Sequence, residues 1–248
     1  SGQENFSDGF LETEDGFTAY PTLIYDGPFS DHILEKEPEM IKNAKEVTRE
    51  EAKTIAAKAL NTSFDKIVDD TDEEGNMPSY CFAGPDANLA VTKQGGLLSY
   101  LIKNRTVESQ DATADECVEA ALEYLKSLGV SDMKKTYYEI AENIITINFA
   151  SQQGDVTCYT DLIKVSVAMD NKEILKYDGR GYITNHKTRE HLTAEISVEE
   201  AQKSLSPLLT VEQCNLTLIP TSGQNEVLCY EFKCHSDEDE NILVYVNA

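Results

Sequence analysis

No stretch of this chain approaches the 18 consecutive apolar residues of a membrane-spanning helix. The longest candidate, Leu162–Met169, is interrupted by Lys164 and Ser166 and reads as strand. The N-terminus lacks a basic region followed by an apolar stretch, so no secretory signal is visible. None of the six cysteines forms a C-x-x-C pair, which removes the main support for zinc-ribbon or thioredoxin-like chemistry. His-Glu-x-x-His, Gly-x-Ser-x-Gly and Walker loops are also missing. Positive charge is scarce: 21 Lys and Arg face 45 Asp and Glu, for a net charge of −24. Such a surface repels nucleic acid, anionic lipid and anionic glycan, and stays compatible with a basic protein or a cation.

What is present is a short pattern used three times. Thr48-Arg49-Glu50-Glu51-Ala52, Thr113-Ala114-Asp115-Glu116-Cys117 and Ser197-Val198-Glu199-Glu200-Ala201 each place a hydroxyl at an N-cap and a Glu three residues later. That is a capping box, in which each side chain satisfies a backbone N–H that the helix start leaves orphaned. The first helix is expected from Thr48 to about Asn61, with Ala52, Ile55, Ala56, Ala59 and Leu60 on one face. The second runs from Thr113 to about Leu128, where Gly129 can terminate it. The third runs from Ser197 to about Ser206 and stops at Pro207.

Between helices the apolar period changes to two. Strands are expected at 79–82, 88–91, 97–102, 137–140, 144–149, 157–163, 164–169, 173–177, 215–219, 227–233 and 241–246. The order helix, then antiparallel strands, recurs, which makes the class α+β, with three tandem units that each pack a helix on a small antiparallel sheet. Helix starts lie 65 residues apart (48 to 113) and then 84 apart (113 to 197), which favours tandem domains over solenoid turns. The expected units are 1–110, 111–190 and 191–248. A Tyr-Asp-Gly echo, Tyr25-Asp26-Gly27 before His32 and Tyr177-Asp178-Gly179 before His186, adds a strand ahead of the helix in two of them. Ser1-Gly2 looks like a tag remnant and Ala248 falls in a final strand, so the chain is expected to be part of a longer protein.

Candidate chemistry is thin. With 45 acids in 248 residues, pairs of carboxylates arise in nearly any fold and carry no signal of glycoside hydrolysis. Asp70-Thr71-Asp72-Glu73-Glu74-Gly75 begins like a calcium loop, but Cys81 stands where the bidentate Glu is needed and Pro78 lies inside, so a hairpin turn is expected. Most of the cysteines read as small buried hydrophobes, with disulfides as the other reading. His32 and His186 read as structural imidazoles bonding backbone, with partner contact as the other reading. No catalytic residue, metal site or cofactor is assigned. The candidate partner-binding segment is Tyr25, Asp26, Gly27, Pro28, Phe29, Ser30, Asp31 and His32, where a Gly-Pro turn sets an aromatic beside acids. The alternative is a turn whose Phe29 packs on the first helix.

The boxed helices followed by strands resemble the PepSY domain, most clearly over Ser197–Ala248, so the three units are expected to be PepSY-like. A closer likeness covers nearly the whole chain. The segments Tyr20–His32, Cys158–Val165, Ala168–Asn171, Gly181-Tyr182 and Asn185-His186 resemble YpeB-type spore germination proteins. Lys172 departs from that pattern, which has Gly after Asp-Asn. The resemblance implies a non-enzymatic protein made during sporulation. Its PepSY repeats would lie on the outer side of the inner spore membrane, behind an N-terminal membrane segment outside this chain. It would bind, stabilise and restrain a SleB-type cortex-lytic enzyme. A protease-inhibitory or chaperone module is the runner-up, and a carbohydrate-active enzyme acting on cortex the third reading.

Overall fold

The computed structural model describes residues 36–221, 225–236 and 240–248. The segment Tyr25–His32 and its half of the Tyr-Asp-Gly echo lie outside them. In chain order the elements are α1 (Arg49–Ala59), β1 (Val68–Asp69), β2 (Ser79–Gly84), β3 (Ala87–Thr92), β4 (Leu98–Lys103), α2 (Ala114–Ser127), β5 (Met133–Ala141), β6 (Ile144–Gln153), β7 (Val156–Ala168), β8 (Ile174–Asp178), α3 (Arg180–Asn185), α4 (Val198–Gln202), β9 (Leu209–Pro220), β10 (Glu226–Ser236) and β11 (Asn241–Asn247). This is a mixed α+β fold dominated by antiparallel sheet, with few helices. The described residues form two compact units, a larger one of 36–153 and 158–189 and a smaller one of 154–157 and 190–248.

In the larger unit the strand order is β1-β2-β3-β4-β8-β7-β6-β5. The helices α1 and α2 contribute to one core with these strands. Ala52, Ala56, Cys117, Ala121 and Leu125 meet Phe82, Leu89, Leu101, Ile147, Phe149, Ile163 and Val165 there. Small residues on the buried faces let both helices lie close to the sheet. Tyr124 of α2 donates its hydroxyl to the Ala59 carbonyl at 3.0 Å, satisfying an acceptor that the end of α1 leaves unpaired. The two halves of the larger unit, α1 with β1–β4 and α2 with β5–β8, also share backbone pairing, since β4 runs antiparallel to β8 through Tyr100↔Asp178, Leu101↔Tyr177 and Ile102↔Lys176.

The connection between the halves is stapled down. Val107 is buried in a cluster with Ala168 and Leu175. The amide of Asn143 donates to the Val107 carbonyl at 3.1 Å, and the N–H groups of Asp111 and Ala112 donate to the Met169 carbonyl. The boundary expected between residues 110 and 111 falls in this tethered segment.

In the smaller unit β9, β10 and β11 form an antiparallel sheet. Tyr230, Phe232 and Cys234 of β10 present one face to Ala201 of α4, with Ile242, Val244 and Val246 of β11 alongside. The Tyr230 hydroxyl donates to the Ile196 carbonyl at 2.8 Å, which fixes the approach to α4.

Two capping boxes are complete, Thr48 with Glu51 and Thr113 with Glu116. The third is half made: Ser197 accepts from the Glu200 N–H, but no reciprocal bond forms. The helix it opens is also shorter than the sequence suggests, five residues instead of a run to Ser206. Its end tightens into i→i−3 bonds at Lys203, Ser204 and Leu205, and the Ser204 hydroxyl takes the Ala201 carbonyl at 2.6 Å, a local bond that competes with helix extension. Elsewhere the strands outrun expectation. β7 is a single 13-residue strand where two were expected, nearly every position covered. β5 begins at Met133 and β9 at Leu209. The helix α3 was not anticipated.

Candidate functional site

A concentration of buried polar groups in the larger unit is built from β7, α3 and the segment that follows. Asp161 sits in the middle of β7 with its carboxylate at 0% exposure. A strand covered on both faces gives such a group no water, so it must be paired. Arg189 supplies a two-pronged partner: Nη2 donates to Oδ1 at 2.7 Å and Nη1 to Oδ2 at 2.8 Å. His186 Nδ1 lies 2.8 Å from Oδ2. An ionised carboxylate only accepts, so Nδ1 carries the proton. The imidazole also stacks on Tyr182, with centroids 4.4 Å apart and planes at 17°.

Asn185 locks α3 to the strand. Its amide donates to the carbonyls of Thr160 and Gly181 at 3.1 and 3.0 Å, and its oxygen accepts from Lys36 Nζ at 3.1 Å. Gly179, which caps α3, has no room for a side chain: a Cβ there would lie 2.5 Å from the Tyr177 hydroxyl. The six residues of α3 carry neither capping side chain nor amphipathic stripe. These tertiary bonds, rather than local propensity, hold the helix.

Electrostatically the cluster is a matched set. Burial pushes the Asp161 carboxyl up, but hydrogen bonds and charge from Arg189 and His186 outweigh it and hold the group below the ordinary carboxylate range. A His–Asp pair is two-thirds of a nucleophilic triad. Among the described residues no serine, threonine or cysteine hydrogen-bonds His186 Nε2, and the carboxylate is already saturated by the guanidinium. The cluster can pin a helix and a chain segment; it has no means to activate a nucleophile. The expectation for His186 is corrected accordingly. It is structural, but its imidazole bonds a buried carboxylate instead of backbone.

A second ionic clamp holds the stapled connection. Arg105 forks onto Asp170 with both contacts at 2.7 Å, reaches Glu173 at 2.6 Å and Asn171 at 2.7 Å. Lys103 also pairs with Glu173. Hydrogen bonds from Arg105 lead the causes that lower the Asp170 carboxyl. Lys172 closes this turn at φ +64°, a left-handed conformation that a side chain disfavours. Beside the clamp a cavity of about 540 Å³ is lined by Lys103, Arg105, Thr146, Ser166 and Lys176. Two of its three cations are bound to the chain's own acids.

The calcium-like loop spends its acids on partners within the chain. Asp72 accepts from Arg49 at 2.6 Å and lies 3.3 Å from Lys93, and Glu73 accepts from the Tyr100 hydroxyl at 2.6 Å. Among the described residues no group of three or more His, Cys, Asp or Glu could hold a metal ion, and no helix is long and apolar enough to cross a membrane. No disulfide joins the six cysteines, and five of them are buried. Burial pushes the Cys81, Cys117 and Cys229 thiols up, away from reactivity.

Sequence reasoning missed Arg189 and the role of Asp161. The available signal was an acid flanked by Cys158, Tyr159, Leu162 and Ile163 in a strand apolar on both faces. The segments whose wording resembles the germination family converge on these features: Cys158–Val165, Gly181-Tyr182 and Asn185-His186 on the Asp161 cluster, Ala168–Asn171 on the Arg105 clamp.

Helices laid on antiparallel sheet and wired from within define an α+β module dominated by that sheet. Residues 6–192 match the family model described as YpeB sporulation, PepSY1 and PepSY2 domains. The chain belongs to the YpeB sporulation protein family. It is 31% identical over 225 residues to the sporulation protein YpeB of Halalkalibacterium halodurans, covering 88% of this chain and 50% of the relative. Against that of Bacillus subtilis the identity is 27% over 213 residues, with 82% and 47% covered. The chain thus spans about half the length of the curated relatives it matches. A solved structure of the Bacillus megaterium YpeB C-terminal domain shares the fold, with a TM-score of 0.72 at 21% identity over 82% of this chain and 94% of that one. The family is named for sporulation and its PepSY domains, not for an enzymatic activity.

Proposed function

We propose that this chain is the PepSY-bearing scaffold of a sporulation and germination protein, organised as three PepSY-like units, that binds, stabilises and restrains a SleB-type cortex-lytic enzyme without chemistry of its own. One observation supports this reading above the others. The buried carboxylate that could have served chemistry, Asp161, is saturated by Arg189 and His186, while membership of the YpeB family supplies the sporulation setting. On this reading the protein acts in the spore, at the outer side of the inner membrane or in the cortex. The Tyr25–His32 segment is the proposed contact, an aromatic anchor beside acids.

The test is a pull-down of the hydrolase with this chain at two salt concentrations, since a surface of −24 makes any electrostatic share of the affinity salt-sensitive. It is paired with muropeptide release from cortex. Retention of the hydrolase and slower release are expected, both weakened by Phe29→Ala. Muropeptide release by this chain alone would refute the scaffold reading. No retention and no effect on release would refute the restraint.

A further inference from the structure

The larger unit contains a cavity of about 200 Å³ between the C-terminal ends of α1 and α2, the start of β4, and α3. Its floor is formed by Leu98, Tyr177, Tyr182 and Ile183, all buried. Its partly open rim includes Ile55 and Leu128, and Lys58 is its one charged lining residue.

Tyr177 is 4% exposed and Tyr182 9%. Among the described residues neither hydroxyl has a hydrogen-bond partner, whereas those of Tyr80, Tyr100, Tyr124, Tyr230 and Tyr245 do. A buried hydroxyl without a partner costs roughly 1–3 kcal/mol, and native proteins rarely leave two together. Water entering through the rim finds few polar partners beyond these two hydroxyls, because the other buried walls are hydrocarbon. An apolar cavity of ~150 Å³ is already enough to take benzene.

We propose that this cavity is a binding site for a small uncharged molecule with a benzene-sized apolar body and one hydroxyl or carbonyl group. The body fills the space over Leu98 and Ile183. The polar group meets the Tyr177 or Tyr182 hydroxyl, which can donate or accept. Lys58 stands at the mouth, where it does not oblige the ligand to carry charge.

The probes are phenol and toluene, alike in size and different in the polar group, titrated into the whole chain with methyl-labelled Ile, Leu and Val. Saturable shifts confined to Ile55, Leu97, Leu98, Leu128, Val130 and Ile183 are expected for both, with phenol the tighter. Tyr177→Phe and Tyr182→Phe are then made singly. Each removes an unpartnered hydroxyl and is expected to fold as well as the parent. At least one should weaken phenol about threefold to tenfold, the worth of one hydrogen bond, while changing toluene less than twofold. Val130→Phe, with its fold checked by circular dichroism, should abolish both. The proposal is overturned if neither probe gives saturable shifts at those methyls, or if phenol binds equally well to both tyrosine variants.

Discussion

Replacing Asp161 with alanine should be among the most damaging single changes available in the larger unit. It leaves the Arg189 guanidinium, whose side chain is 5% exposed, without its counter-ion, and strands His186 Nδ1. Breaking a buried ion pair from one side costs about 3–5 kcal/mol. At a urea slope of about 2 kcal/mol/M, the midpoint falls by about 1.5–2.5 M. On heating, about 2–4 °C per kcal/mol gives a loss of about 6–20 °C. Far-UV circular dichroism in urea measures this directly. The damage comes from the uncompensated charge, so a double variant, Asp161→Leu with Arg189→Met, should recover most of the midpoint. The pH dependence has a fixed sign. The folded carboxyl titrates below its unfolded value, so its contribution is complete above the ordinary aspartate pKa of about 3.9 and is lost as pH falls through the lower folded value. Wild type should therefore lose more stability than Asp161→Ala on acidification below about pH 4. A cost under about 1 kcal/mol, or a double variant no better than the single one, would refute the reasoning.

Thr113→Ala should cost about 1 kcal/mol through loss of a complete capping box, read as a lower urea midpoint. Ser197→Ala should cost less, because only one of its two bonds is made. Lys172→Gly should be neutral or stabilising by up to about 1 kcal/mol, since it relieves a left-handed backbone at an exposed turn. Arg105→Lys keeps the charge but loses the fork onto Asp170, so amide exchange at Lys172 and Glu173 should quicken while global stability changes little. Limited proteolysis should cut the exposed irregular stretch around 190–195, just past the pinned Arg189, before the tethered 104–112.

The helices α1 and α2 were legible in the sequence because their signals are local: a box at one end, a 3.6-residue stripe along one face. The strands around Gly84-Pro85-Asp86 and Asp170-Asn171 were legible through their turns. What escaped was set by tertiary contact. The helix α3 has no cap and no stripe, and exists because Asn185 and His186 find β7. Asp161 looked like one acid among 45 until the sheet buried it. Lys172 looked like a departure from a pattern, and its φ shows why Gly suits the position. Sequence spacing also could not reveal that β4 would join β8, because strands of two neighbouring repeats look alike whether they face separate sheets or share one.

The staple across the connection has a consequence for cooperativity. Val107 and Arg105 make the segment between the two halves part of the second half's packing, and the Tyr124–Ala59 bond ties the helices together. Neither half can open without exposing the other's apolar face. Sequence repetition here does not confer modular melting: the two halves should exchange their slowest amides at one common rate, as a single foldon. A fragment ending near residue 110 should behave as a collapsed, dye-binding state instead of a smaller native domain.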